Sequence, residues 1–260
     1  MNQPNMKFNL HIPAWLRHSH LVAVFTLSLS LGACSGDSWK EEALQPDGST
    51  IIVTRTVDRG GRHEVGQEPP IKTQSIEFNL PSSNEKVVWR DNFSEDLGGA
   101  SFLPKLLGVR KGEAYLLASP MGCLSYNKWD RPNPPYVVFK YASKQWDRVD
   151  LKELPLEFKT PNLVPSNPDV EAKKTGESPV SAKTIADMVG RYQQPERRSI
   201  LREKINYDPE CIPMVSNKKG AWRATGFFSR LPTLEACEIA CYQEQFDASH
   251  CPCKQLFERK

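Results

Sequence analysis

The chain has 260 residues, 34 lysines and arginines against 31 aspartates and glutamates, and a formal net charge of +3. Hydrophobic residues make up 39%, enough for a packed core and too many for a disordered chain, while 21 prolines mark it as loop-rich. A charge this close to balance leaves no electrostatic footprint for nucleic acid.

The first twenty residues carry Lys7 and Arg17 and no acidic side chain. Leu21 to Ala33 then forms a run of thirteen apolar and small residues, followed by Cys34. This order of positive, apolar and small segments is that of a secretory signal. The run is too short for a helix that spans a bilayer, which needs about twenty residues. Leu31-Gly32-Ala33-Cys34 resembles the lipobox of bacterial lipoproteins. The resemblance covers residues 1–35. It implies cleavage before Cys34, diacylation of the Cys34 thiol and acylation of the new amino terminus, which gives a stable membrane anchor. Ser35, rather than Asp, follows the cysteine, and in that family this implies sorting to the outer membrane, with the body expected to face the periplasm. Loss of residues 1–33 removes two positive charges and lowers the net charge to +1.

Trp39 to Leu44 and Thr50 to Val57 read as strands joined by Gln45-Pro46-Asp47-Gly48, where proline presets φ and glycine supplies the positive φ of a turn. Asp58 to Pro70 is a polar loop bent at Gly60-Gly61. Lys72 to Leu80 and Glu85 to Arg90 form a second strand pair about Pro81 to Asn84. Phe102 to Val109 is apolar with Pro104 near its start, and reads as a short helix or a buried loop. Ala114 to Ser119 is a buried strand. Pro120 to Pro135 is dense in turn formers, and Tyr136 to Tyr141 with Gln145 to Leu151 is the clearest hairpin.

Five prolines between Lys152 and Val180 and little periodicity predict a linker. Ser181 is placed to cap a helix over Ala182 to Tyr192, where Ile185, Met188 and Val189 share a face. Thr233 is placed to cap another over Leu234 to Gln245. The expected fold is therefore α+β. A leader at 1–33 precedes a mainly antiparallel β body at 34–152, a sandwich or an open sheet. A linker at 153–180 and a small helical, disulfide-bonded module at 181–260 follow.

With Cys34 taken by lipid, Cys123, Cys211, Cys237, Cys241, Cys251 and Cys253 remain, an even number for an oxidising compartment. Cys237 and Cys241 share a helix face about 6 Å apart, and Cys251 and Cys253 share a face of an extended segment at about the same spacing. An extended segment running back along the helix bridges Cys237 to Cys253 and Cys241 to Cys251, which leaves Cys123 for Cys211. The rival chemistry is a soft-metal site of copper or zinc on the C-terminal thiolates.

Two constellations could carry function. Arg59, Arg62, His63 and Glu64 stand on the Gly60-Gly61 loop, so His63 is the weak catalytic candidate of a periplasmic hydrolase, although no partner for it is legible. The second is a stiff aromatic turn of Tyr126, Asn127, Trp129, Asp130, Arg131, Asn133 and Tyr136, with residue types common in binding hot spots. No cofactor motif is present. The expectation is a non-catalytic envelope lipoprotein that meets the membrane through Cys34 and binds a protein or glycan of the envelope through that turn.

Overall fold

A computed structural model describes residues 36–61, 63–206, 211–217 and 219–258; the leader and Cys34 lie outside them. Two antiparallel four-stranded meanders carry the body. The first contains β1 (Asp37–Leu44), β2 (Thr50–Arg59), β3 (Ile71–Asn79) and β4 (Lys86–Asp91), and the second β5 (Phe102–Arg110), β6 (Glu113–Pro120), β7 (Val137–Ala142) and β8 (Gln145–Val149). Between them lies the main core, with Val53, Ile76, Phe78 and Trp89 from the first sheet against Phe102, Leu107, Leu116 and Val137 from the second. Trp89, Phe102 and Phe139 meet with ring centroids 5.2–6.3 Å apart.

Side chains close the sandwich at its edges. Along β1 and β5, Gln45 accepts from the Val109 amide at 3.0 Å and donates to the Leu107 carbonyl at 3.2 Å. Asn162 accepts from the Leu107 amide at 2.9 Å and donates to the Leu107 and Leu44 carbonyls, each at 2.8 Å. Both amides imitate a peptide group where the sheets do not pair directly. Along β4 and β8, the Trp146 indole donates to the Val88 carbonyl at 3.1 Å. The crossing from β4 to β5 is fixed by buried Asp91, which accepts from the Ser101 and Phe102 amides and from Gln74.

Phe102 to Arg110 is a strand, not the short helix or buried loop expected. The pairing with β6 slips between Pro104 and Leu106, so Lys105 is the extra residue of a β-bulge. Proline lacks an amide donor, and a bulge is where a strand tolerates that loss. The second sheet is covered on both faces, which explains the uninterrupted apolar run of β6. Its outer face packs Leu106, Tyr115, Leu117 and Tyr136 against Leu154, Phe158 and Ile200. Gly108 admits the Phe158 ring to within contact of its backbone, leaving no room for a Cβ.

The proline-rich stretch at 153–180 is thus packed structure rather than a spacer. Its prolines hold an extended chain against the sheets while Leu154, Phe158, Leu163 and Val164 are buried. Two arginines of β2 grip it. Arg55 donates to the Val164 carbonyl at 2.9 Å and pairs with Glu41 at 3.3 Å. Arg59 donates from Nε and one terminal nitrogen to the Asp169 carboxylate, both at 2.6 Å. Helices α1 (Gly122–Lys128), α2 (Pro168–Thr175), α3 (Ala182–Gly190) and α4 (Pro195–Arg198) follow the chain. Ala172, Val180, Ile185 and Val189 form a further core with Val164 and Trp39. Ser181 accepts from the Thr184 amide as the expected cap.

The C-terminal part holds the pair β9 (Met214–Ser216) and β10 (Trp222–Ala224), then α5 (Thr225–Ser229), α6 (Leu234–Gln243) and α7 (Cys253–Phe257). Thr233 caps α6 through the Ala236 amide. Phe228, Cys237, Cys241, Phe246 and Cys253 form its core. The three cysteine pairs stand as the spacing predicts, Cys123 with Cys211, Cys237 with Cys253 and Cys241 with Cys251, with Cα atoms 5.2, 5.7 and 5.8 Å apart. One detail differs: Cys253 opens α7 instead of ending an extended strand, because Pro252 takes a helical conformation. Asn127 donates to the Ile212 carbonyl and accepts from the Met214 amide, both at 3.0 Å, and Trp222 donates to the Asp96 carbonyl at 2.8 Å. Gly36–Lys260 forms one compact unit. Among the described residues no helix is long and apolar enough to cross a membrane.

Two outcomes follow. Arg55→Met alone strands a buried carboxylate and should cost about 3–5 kcal/mol in urea unfolding, whereas Glu41→Leu with Arg55→Met should restore most of it; equal losses would show that the guanidinium's bond to Val164 matters more than the charge pair. All six cysteines should resist alkylation until reduced. Cys123→Ala with Cys211→Ala, which opens a loop of 88 residues, should lower stability by up to ~4 kcal/mol.

Candidate functional site

A cleft of about 940 Å³ opens where the end of the first sheet, the 97–100 loop, β5 and β6 meet the 165–167 and 192–197 segments. Lys105 faces it from the bulge. A regular strand would alternate Leu103, Lys105 and Leu107 on one face. The extra residue breaks that alternation, so Leu107 enters the main core while Leu103 and Lys105 line the cleft. The bulged carbonyl of Lys105 accepts from the Asn162 and Leu163 amides at 3.0 and 3.1 Å, which fixes the backbone beneath the side chain.

Among the described residues the Lys105 ammonium has no hydrogen-bond or ion-pair partner. Burial lowers its pKa to about 8, and the positive charge of Arg197 adds to the drop while Glu196 opposes it. Arg197 lies over the Tyr192 ring, 5.3 Å from its centroid. Arg59 also lines the cleft, but its donors are taken by Asp169 and by the Pro69 carbonyl at 2.8 Å. Burial alone would raise the Asp169 carboxyl; the hydrogen bonds and charge of Arg59 outweigh it and hold the group below the ordinary carboxylate range. Ser166 and Asn167 turn the wall in consecutive left-handed conformations, at φ of +33° and +42°. Leu103, Pro120, Met121 and Pro135 make the rest of the lining partly apolar.

Apart from Arg59, the described residues singled out from sequence lie elsewhere. The aromatic turn serves as an internal brace, because its rings pack against the core. Tyr126 and Tyr136 are buried. The Tyr136 hydroxyl donates toward the Glu196 and Ser199 carbonyls, at 2.8 and 3.0 Å. Trp129 stacks on Phe102 at 4.6 Å and lies under the Arg148 guanidinium. Asn127 clamps the C-terminal part, Arg131 covers the Tyr126 ring at 4.9 Å, and Asn133 pairs with the Ile205 backbone. Asp130 remains exposed, 3.4 Å from Arg148.

His63 is exposed, and its Nδ1 lies 3.0 Å from the Gly61 carbonyl; among the described residues no carboxylate or hydroxyl reaches it to orient it as a base. Cys237, Cys241 and Cys253 bring their sulfurs within 4.8 Å of one another, but each is joined to another cysteine and offers no thiolate. Lys105 and the cleft are not among the candidates that the sequence pattern offers. The signal was present in Phe102 to Val109, where a proline and a lone charge interrupt an apolar run, as at a bulge. No protein-family model, curated protein or solved structure matches the chain.

Because the unfolded chain keeps its lysine charged up to an ordinary pKa of 10.5 and the folded one only to about 8, the unfolded state binds more protons between these values. The contribution of Lys105 to stability therefore rises with pH through that window. Lys105→Met should stabilise the protein at pH 7, on the order of 1–2 kcal/mol after allowance for partial exposure, and the gain should vanish by about pH 11. A gain independent of pH, read by urea unfolding, would mean that the ammonium is not desolvated.

Proposed function

We propose that the chain is a lipoprotein of a bacterial cell envelope, anchored through lipid on Cys34 in the outer membrane and facing the periplasm. On this reading its crosslinked body binds another envelope component, a protein or a glycan, without catalysing a reaction. The leader and its lipobox-like end support the anchor, and the three cysteine pairs fit an oxidising compartment.

The observation that carries the binding role is the cleft, a partly apolar concavity with a few convergent polar groups and one ammonium left without a partner. Its walls come from β2, β5, β6 and the clamped 165–169 segment, so little ordering is needed when a ligand enters. This moves the expected binding surface from the aromatic turn to the opposite use of the same fold, a site built by strand irregularity rather than by exposed rings.

The test has two arms. Cys34→Ser should remove the lipid mass and release the protein from membranes. A photoreactive residue at Gln67, which lines the cleft, should give a discrete adduct in intact envelopes that Lys105→Met reduces at least tenfold. The same group at exposed Asp47 is the control. Equal adducts at both positions, or none at Gln67, would remove the cleft from the account.

A further inference from the structure

We propose that the cleft recognises an anionic group of its ligand, a phosphate or a carboxylate, held between the Lys105 ammonium and the Arg197 guanidinium. The inference rests on the reading of the cleft as the binding site.

Five charged side chains line this cavity: Arg59, Glu68, Lys105, Glu196 and Arg197. Arg59 is spent on Asp169 and the Pro69 carbonyl, and Glu68 lies 3.8 Å from it, so this group is balanced within the wall. Lys105 and Arg197 are the cations left without a carboxylate contact among the described residues. Arg197 is held over Tyr192 instead. Both cations line the same cavity beside Glu196, and there the charge of Arg197 disfavours protonation of Lys105 while Glu196 relieves this only in part. Two like charges facing one cavity with partly apolar walls are stabilised by an anion placed between them, more so than in water.

The ammonium brings three donors and Arg197 a planar fork, a set that suits the oxygens of phosphate or carboxylate. A neutral sugar hydroxyl would leave the repulsion in place, and a cation would increase it. Glu196 sets the limit: it opposes anions of high charge and favours a single anionic group.

The test uses the full lipidated protein in detergent with its lysines ¹³C-dimethylated, which preserves their charge. Lys105→Arg identifies the Lys105 resonance. Its titration midpoint is read in sodium chloride, sodium sulfate and sodium acetate at equal ionic strength; sulfate stands in for a phosphate group and keeps its charge over the pH range. The midpoint should rise by about one pH unit in sulfate or acetate relative to chloride, and Arg197→Gln should reduce that rise by at least half. Vesicles of phosphatidylglycerol form a third arm. A rise with vesicles but not with small anions assigns the group to a lipid headgroup, and the reverse assigns it to a soluble or glycan-borne anion. An unchanged midpoint in all three arms overturns the proposal, even if the Gln67 adduct shows that the cleft is occupied. A shift untouched by Arg197→Gln overturns the two-cation site.

Discussion

The Arg55 guanidinium lies buried between the Glu41 carboxylate and the Val164 carbonyl, on the same face of β2 as Ile51 and Val53. Trp39 covers it, with the guanidinium 5.0 Å from the ring centroid, and also donates to Glu41 at 2.7 Å. This is an expensive arrangement. Burial pushes the Glu41 carboxyl above its ordinary pKa despite the adjacent cation, and one terminal nitrogen of Arg55 stays without an acceptor. What it secures is position. The guanidinium's bond to the Val164 carbonyl forms only when residue 164 lies against the first sheet, and from there the chain continues to Asp169 and the grip of Arg59.

Everything that gives the molecule a concave surface depends on that placement. With residues 162–169 fixed, Asn162 joins the two sheets and holds the bulge at Lys105 from behind. Pro165, Ser166 and Asn167 then form one wall of the cleft and α4 another. The cost of burying charge in β2 and the placing of an unpaired, desolvated ammonium in β5 are thus two ends of one construction: a largely irregular segment held by polar contacts that have few alternative partners.

The fold and the site were legible to different degrees. The hairpins could be read because their turns demand proline and glycine and their strands alternate. The cysteine pairing could be read because a covalent bond tolerates a narrow range of Cα separations. The 153–180 segment could not. Its prolines are equally compatible with a solvated linker and with an extended chain fastened to a sheet, and its fasteners lie more than a hundred residues away, at Arg55 and Arg59. The aromatic turn misled for a related reason, since the same rings serve a partner or a core and only the position of Phe102 and Phe139 decides which.

By itself the sequence determined the α+β composition, the strand hairpins, the helix caps at Ser181 and Thr233 and the cysteine pairing, because each rests on interactions between near neighbours or on a bond of fixed length. The tertiary structure alone decided that Lys105 faces a cavity, that Arg197 lines the same cavity and that the rings of Tyr126, Trp129 and Tyr136 pack into the body. Those outcomes depend on a one-residue slip in strand register and on contacts between distant segments. A slip of one residue reverses the face that a side chain occupies without leaving any periodic mark in the chain.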